Sequence, residues 1–296
     1  MTERLIFVPG LAAKPAAKPY RAELLRVLLA GLERTRPRAA RVLAGRPESF
    51  VLVEWTRVFY PEPRDIALDL PGIERLLTEA PTAEDRHEVS SWAHRLDLLA
   101  RIVGDALPFL TGLANAALRA QLDDVARYQR DDAGIGTNIR RLVHEQLEAA
   151  WAAGERVLLI GHSLGSVICY EALWDLTRER GARPRVDLFV TLGSPLATRV
   201  IRRWLRGAVL RGADAYPANI ARWVNLTARG DATALYPRLE PRFRAMCELG
   251  LTASIEDHVD LENCFRGANG VNAHEAYGYL YLPTLAEVVG DFLERA

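Results

Sequence analysis

Short, unbroken apolar runs recur along this 296-residue chain, and each is followed by turn residues and then by a helix-period pattern. Runs this short and this rich in Val, Leu and Ile are typical of strands buried on both faces of a parallel sheet. The predicted strands are 5–8, 50–55, 157–160, 186–192 and 222–227, and the predicted helices are 20–33, 137–154, 167–181 and 283–296. This alternation predicts an α/β fold with a doubly wound, mostly parallel sheet and helices on both faces.

The sharpest local signal lies at residues 157–166, which read VLLIGHSLGS. The four aliphatic residues predict a strand and SVICYEALWDL predicts a helix, so the chain must turn sharply between them. Such a turn needs Gly161 and Gly165, because a side chain at either position would collide with a neighbouring strand or helix. The turn strains Ser163 and lifts its hydroxyl clear of the sheet, where a base can reach it. A plain strand–helix turn is the alternative interpretation.

In this strand–turn–helix context, the G-H-S-L-G segment resembles the nucleophile elbow of the α/β-hydrolase superfamily, above all that of its lipases and esterases. The resemblance covers the architecture of nearly the whole chain, apart from one helical insertion. It implies an α/β-hydrolase fold that starts at the family's usual third strand, with a reduced sheet of about six strands. It also implies a Ser–Asp–His triad in that chain order, with Ser163 as the nucleophile.

The acid of the implied triad should follow a later strand. Asp231 comes just after the predicted strand 222–227 and a turn at Gly230, where a carboxylate can accept a hydrogen bond from a histidine Nδ1–H. A plain turn aspartate is the alternative interpretation. Asp187 is a poorer choice because it opens its strand, at the wrong end of the sheet, and Asp257 is a distant second candidate.

The chain offers six histidines for the base. His274 lies in the loop GANGVNAHEAYG shortly before the last predicted helix, where the resemblance puts the catalytic histidine. His258 lies near a last, short strand, so we expect a structural role for it. His162 neighbours the nucleophile, but we expect it to point the other way along the turn. The remaining three precede the elbow on helical patterns and are expected to be surface or packing residues: His87, His94 and His144.

Two backbone N–H groups are needed to stabilise the tetrahedral oxyanion. One is that of Leu164, directly after the nucleophile, at a helix start whose positive dipole end favours negative charge. By resemblance the other comes from the loop FVPGLAAK after the first strand, at Leu11 or alternatively Ala12. Many relatives have His-Gly where this chain has Pro9-Gly10, but the donor is a main-chain group and does not depend on that side chain.

Residues 61–136 interrupt the alternation, since they contain no convincing strand and read as long helical patterns. We therefore expect one domain over residues 1–296, with a helical insertion or cap at 61–136. Its apolar stretch 106–118 is either a lid over a pocket or the inner face of a packed helix. The loop TLGSPLA at 191–197 is expected to be a turn near the pocket without a chemical role.

Composition limits the binding partners, the cellular compartment and the cofactors that we expect for this chain. Lys+Arg and Asp+Glu are equal at 38 each, so the overall charge favours neither nucleic acid nor an anionic membrane. Three widely spaced cysteines predict neither a disulfide framework nor a metal knuckle, which fits a cytoplasmic protein. A strand at 4–10 leaves no room for a signal peptide, and no window reaches the ~18 apolar residues of a transmembrane segment. No histidine pair has zinc-protease spacing, so neither a metal nor a cofactor is expected.

Together these features predict a serine hydrolase that cleaves a carboxylic ester, in the manner of a lipase or esterase, through an acyl-enzyme on Ser163. The expected partner is a small-molecule acyl ester. The same triad serves thioesterases, amidases and acyltransferases, and the sequence does not separate them. A non-catalytic, hydrolase-like scaffold that binds a ligand is the alternative from a different class.

Overall fold

The computed structural model describes residues 2–91, 116–182, 184–234, 236–268 and 270–295. His94, residues 92–115 of the predicted insertion and most of the apolar stretch 106–118 lie outside the described residues. The single-domain organisation and the cap therefore stay predictions.

One six-stranded sheet forms the centre of the described structure, and all its strands run parallel. The strands lie in the order β2-β1-β3-β4-β5-β6. They are β1 (Glu3–Val8), β2 (Phe50–Leu52), β3 (Arg156–His162), β4 (Leu188–Leu192), β5 (Arg222–Ala228) and β6 (Ser254–Leu261). A short antiparallel ribbon follows, formed by β7 (Arg266–Gly267) and β8 (Gly270–Val271).

Helices flank this sheet, so the predicted α/β class with a parallel sheet is confirmed. They are α1 (Ala17–Thr35), α2 (Pro37–Ala44), α3 (Leu70–Thr78), α4 (Ala83–Ser90), α5 (Ala116–Arg130), α6 (Ile135–Ala152), α7 (Leu164–Trp174), α8 (Arg199–Trp204), α9 (Glu240–Glu248), α10 (Ala276–Leu280) and α11 (Pro283–Glu294). The described part of the predicted insertion contains helices α3, α4 and α5 and no strand of the sheet.

Two predicted elements end earlier than their apolar patterns suggest. Strand β2 stops at Leu52, and the chain turns into a 3-10 helix at Trp55–Val58. There the Trp55 indole donates to the carbonyl of Pro9, 2.8 Å away, which fixes the side chain under the loop after β1. Helix α7 ends at Trp174 and continues as a π-helical turn, Asp175–Glu179.

Alternate side chains of each strand enter two separate cores, as the period of two requires. Leu5, Phe7 and Ile160 face one core together with α1, α2 and α11. Ile6, Val8 and Leu159 face the other core, against α6, α7 and α9. Burial on both faces explains why these strands read as unbroken apolar runs in the sequence.

The order of the strands reverses at β1, because β2 lies on one side of it and β3 on the other. Connections that leave β1 and β3 therefore diverge at the carboxyl ends of these strands, the position at which parallel sheets bind ligands. A ligand-binding site is therefore expected at the carboxyl edge of the sheet. None of the described helices has the length and apolar character needed to cross a membrane.

Candidate active site

Ser163 lies in the turn between β3 and α7, in a conformation that L-residues rarely adopt, with φ 54° and ψ −128°. Both flanking glycines are needed. A Cβ on Gly161 would lie 2.6 Å from the Cα of Ser166, and one on Gly165 would lie 2.2 Å from the carbonyl oxygen of Val8. These contacts are with backbone atoms, so nothing could move aside cheaply, and the tight turn fixes the direction of the serine side chain.

Asp231 and His274 form a hydrogen-bonded pair at the same edge of the sheet, with Nδ1 of the histidine 2.9 Å from Oδ2 of the aspartate. An ionised carboxylate only accepts, so Nδ1 carries a proton, and in the neutral imidazole the lone pair is then on Nε2. The Asp231 side chain is fully buried, whereas the His274 side chain is 24% exposed. The carboxylate is thus shielded from solvent, while the imidazole is partly accessible.

The carboxylate of Asp231 stays ionised despite its burial. Burial alone would raise its pKa, but the charge of His274 and hydrogen bonds from His274, Tyr279 and Thr233 outweigh that effect and hold the pKa at about 2. The Tyr279 hydroxyl donates to Oδ2 at 2.6 Å and accepts from the N–H of Ala228 at 2.8 Å. The Thr233 hydroxyl donates to Oδ1 at 2.8 Å.

Sequence reasoning missed Thr233 and Tyr279. Thr233 could have been found, because an aspartate followed two residues later by a threonine often closes a local turn through the two side chains. In this turn the Thr233 N–H also donates to the Asp231 carboxylate, at 3.0 Å. Tyr279 left no sequence signal, since it reaches Asp231 from 48 positions away, on helix α10.

His162 does not point away from the site, so the expectation for its side chain was wrong. Its buried ring lies 4.6 Å from the His274 ring, centroid to centroid, and its Nε2 is 2.8 Å from the His274 carbonyl oxygen. A carbonyl only accepts, so His162 Nε2 carries the proton and donates. Burial, followed by the positive charge of His274, lowers the pKa of His162 well below its ordinary value. The neutral His162 ring therefore supports the loop that carries His274.

The loop after β4 packs against the acid–base pair more closely than expected. A Cβ on Gly193 would lie 2.4 Å from Asp231 Oδ2 and 3.0 Å from His274 Nδ1, so only glycine leaves room there. The carbonyl oxygen of Gly193 also lies 2.9 Å from the Thr233 hydroxyl, whose single proton is shared between this oxygen and Asp231 Oδ1. The loop contributes no reacting side chain, but it determines where the pair sits.

Gly10 lies between Ser163 and the His162 ring. A Cβ on Gly10 would lie 2.8 Å from Ser163 Cβ, 3.4 Å from Ser163 Oγ and 3.1 Å from His162 Nδ1. Since the His162 ring in turn lies against His274, the turn of β3 and the loop of His274 meet at this point. Among the described residues neither Ser163 Oγ nor His274 Nε2 has a hydrogen-bond partner, and such contacts often tighten only when substrate binds.

The two predicted oxyanion donors lie on either side of this junction. Leu164 opens helix α7, so its N–H has no acceptor within the helix. Leu11 follows Gly10, and the N–H groups of Leu11 and Leu164 donate to none of the described residues. The Leu11 carbonyl accepts from Lys14 Nζ at 3.3 Å, and the next residue, Ala12, has a φ of 98°. Lys14 thus braces the strained loop that would supply the second donor.

The other titratable candidates have structural partners. Asp257 accepts from the N–H groups of Leu239 and Glu240, at 2.8 and 2.9 Å, and so caps helix α9. Asp187 accepts from the N–H of Val157 at 2.8 Å, at the amino end of the sheet. The three remaining described histidines lie in elements away from the turn: His87 is exposed on α4, buried His144 bonds the Ala172 carbonyl, and His258 lies in β6.

Family models, curated proteins and solved structures give no match to this chain. Among the described residues, no group of three or more His, Cys, Asp and Glu side chains is arranged to hold a metal ion. The described site offers a serine on a strained turn, a histidine with a free Nε2, a buried carboxylate and two free N–H groups.

Proposed function

We propose that this protein is a serine hydrolase that cleaves a carboxylic ester through an acyl-enzyme on Ser163. One arrangement carries the proposal: an ionised, buried carboxylate on Asp231 lies 2.9 Å from Nδ1 of His274, at the sheet edge where Ser163 occupies its strained turn. A buried carboxylate that fixes the tautomer of a partly exposed histidine is what an activated serine requires.

In the proposed reaction, His274 Nε2 takes the proton of Ser163 as its hydroxyl attacks the ester carbonyl. The N–H groups of Leu164 and Leu11 stabilise the resulting oxyanion, aided by the positive end of the α7 dipole. Asp231 stabilises the imidazolium, which then protonates the leaving alcohol. Water repeats the same steps on the acyl-enzyme and releases the acid.

We further propose that the sheet is the reduced core of an α/β-hydrolase fold. The support is the order of the elements: Ser163 follows β3, Asp231 follows β5, and His274 follows β6 and the β7–β8 ribbon, which gives the chain order Ser, Asp, His of that fold. The strained turn between β3 and α7 adds to this support. Hydrolysis of a thioester, hydrolysis of an amide and transfer of an acyl group would use the same residues. These three reactions remain alternatives to ester hydrolysis.

The non-catalytic scaffold is the alternative from another class. A binding scaffold has no need of a buried carboxylate whose pKa is held at about 2 beside a histidine with a free nitrogen. Maintaining such a pair costs desolvation free energy that a purely structural contact could avoid. The ionised, buried carboxylate of Asp231 beside His274 therefore favours the catalytic proposal.

The test is covalent labelling with a fluorophosphonate probe, followed by peptide mapping. We expect the label on Ser163 in the wild type and in His258→Ala, and we expect its loss in Ser163→Ala and His274→Ala. Asp231→Asn should label at least 100-fold more slowly, because the wrong histidine tautomer is then favoured, while the matched variant Asp257→Asn should label at the wild-type rate.

Hydrolysis of p-nitrophenyl esters and thioesters of increasing acyl length then distinguishes the substrate classes. A folded wild type that takes up no label, with or without mild detergent, would overturn the proposal in favour of the scaffold. Label that persists in His274→Ala but disappears in His258→Ala would refute the assignment of the base.

A further inference from the structure

The segment 199–211 carries a cluster of exposed apolar side chains. Four of the eight exposed large hydrophobic residues among the described part of the chain lie in it, namely Val200, Trp204, Val209 and Leu210. Val209 is 91% exposed and Val200 is 47% exposed. Single exposed apolar residues are common on soluble proteins, but a cluster of them marks an interaction surface.

The same segment is strongly basic. It contains five arginines and no acidic residue, in the sequence RVIRRWLRGAVLR. Arg206 is neutralised by Asp175 and Glu179. The other four form no ion pair with any described residue: Arg199, Arg202, Arg203 and Arg211. Because the chain as a whole is neutral, this positive charge is a local property that composition does not reveal. We call residues 199–211 the basic–apolar patch.

The patch is held firmly by the molecule beneath it. Leu205 is buried in the core that contains α7. Gly207, with a φ of 83°, lies so close to Trp174 that a Cβ would be 2.4 Å from its Nε1. The Trp174 indole donates to the carbonyl of Asp214 at 2.9 Å, and the Arg206 guanidinium lies 5.2 Å from the Trp174 ring. Anchored at its centre and its end, the segment presents its exposed side chains on a fixed surface.

The patch begins near the carboxyl edge of the sheet and runs toward the opposite edge, where Trp174 ends helix α7. It follows β4 directly through the loop of Gly193, which contacts Asp231 and His274.

We propose that the basic–apolar patch docks the protein on an anionic lipid surface. Arginine side chains bind lipid phosphates, while Trp204, Val209 and Leu210 enter the boundary between headgroups and acyl chains. Nucleic acid would use the arginines but would leave the aliphatic side chains exposed to water. A bilayer satisfies both halves of the patch at once, without a complementary shape. This proposal rests on the surface alone and does not depend on the chemistry of Ser163.

Sedimentation of the full chain with vesicles tests the proposal. We expect binding to phosphatidylcholine vesicles that contain about 30% phosphatidylglycerol, little binding to phosphatidylcholine alone, and weakening as salt shortens the Debye length. Arg199→Gln and Arg203→Gln should each weaken binding about fivefold. Val209→Ser with Leu210→Ser should weaken it about tenfold, and should shift Trp fluorescence less on binding.

Matched control variants separate the patch from general surface charge. Arg38→Gln with Arg41→Gln removes two exposed arginines on α2 that also form no ion pair with any described residue. Leu68→Ser with Leu249→Ser removes two exposed leucines elsewhere. Both controls should bind like the wild type, and circular dichroism should show all variants folded.

Three outcomes would overturn the proposal. The first is equal binding to neutral and anionic vesicles. The second is equal loss of binding in the patch variants and their controls. The third is a dimer that forms without lipid and that only the patch variants abolish, which would assign the patch to a second copy of the chain.

Discussion

Ser163 is the residue at which backbone energetics and the proposed chemistry oppose each other. Its φ of 54° and ψ of −128° suit glycine, and such conformations cost an L-residue about 1–3 kcal/mol. Its hydroxyl has no hydrogen-bond partner among the described residues, so the side chain recovers none of that cost. Glycine would be the more stable choice at this position, so backbone stability does not account for the serine, whereas the proposed role as nucleophile does.

This opposition gives a prediction for stability. The free energy of unfolding of Ser163→Gly should exceed that of Ser163→Ala by about 1 kcal/mol, because glycine relieves the backbone strain and alanine keeps it. Ser163→Gly is thus expected to be the more stable variant. Urea denaturation at neutral pH measures both values, and neither variant should take up the fluorophosphonate label. Equal stability of the two variants would show that the turn is not strained.

The residues of the site differ in how far the sequence reveals them. Ser163, Asp231 and His274 could be selected because each carries a local signature, a glycine pair or a loop that follows a predicted strand. His162 and Tyr279 could not, because their partners come from distant elements: the His274 loop for one, Asp231 and Ala228 for the other. A side chain's direction depends on tertiary packing that no single-sequence pattern contains.

Among the elements, the strands were easier to predict than the loops between them. Burial on both faces makes a strand's composition unambiguous, whereas a loop such as 193–198 reads as a plain turn whatever it contacts. Only in three dimensions does Gly193 become a close neighbour of Asp231 and His274. The bounds of β2 and α7 were also missed, because the aromatic and charged residues at their ends suit several conformations.

Gly193, in the loop after β4, gives a prediction for activity. Gly193→Ala should lower the labelling rate and esterase activity about 100-fold, because its Cβ would collide with Asp231 Oδ2 and displace the pair by a fraction of an ångström. Gly154→Ala is the matched control: its φ of 68° is also left-handed, but nothing lies within 4 Å of its Cβ position. That variant should lose about 1 kcal/mol of stability and keep full activity. Equal activity in both variants would contradict a positioning role for the loop.

At the scale of the whole molecule, two buried carboxylates join elements that are far apart in sequence. Asp85 on α4 bonds Arg266 of β7 at 2.8 Å, and Asp231 joins the end of β5 to His274 and Tyr279. Burial would raise the pKa of each, but hydrogen bonds and neighbouring positive charge reverse the effect and hold both near 2. These contacts therefore stabilise the fold only while the carboxylates are ionised.

Acid should destabilise the protein in a way that can be traced to Asp231. Its pKa of about 2 in the folded state lies below the ordinary value near 4, so the folded state binds fewer protons than the unfolded state between these values. The resulting stabilisation, about 2 kcal/mol, is fully present above roughly pH 5 and is lost as the pH falls through 2. Asp231→Asn should be less stable than the wild type at pH 7 but should lose less stability between pH 5 and pH 2, as measured by urea denaturation across this range.

Asp214→Asn, which removes an exposed carboxylate, should retain the wild-type acid dependence. If Asp231→Asn also retains it, the buried carboxylate is not ionised in the folded protein, and the acid–base pair loses its electrostatic basis.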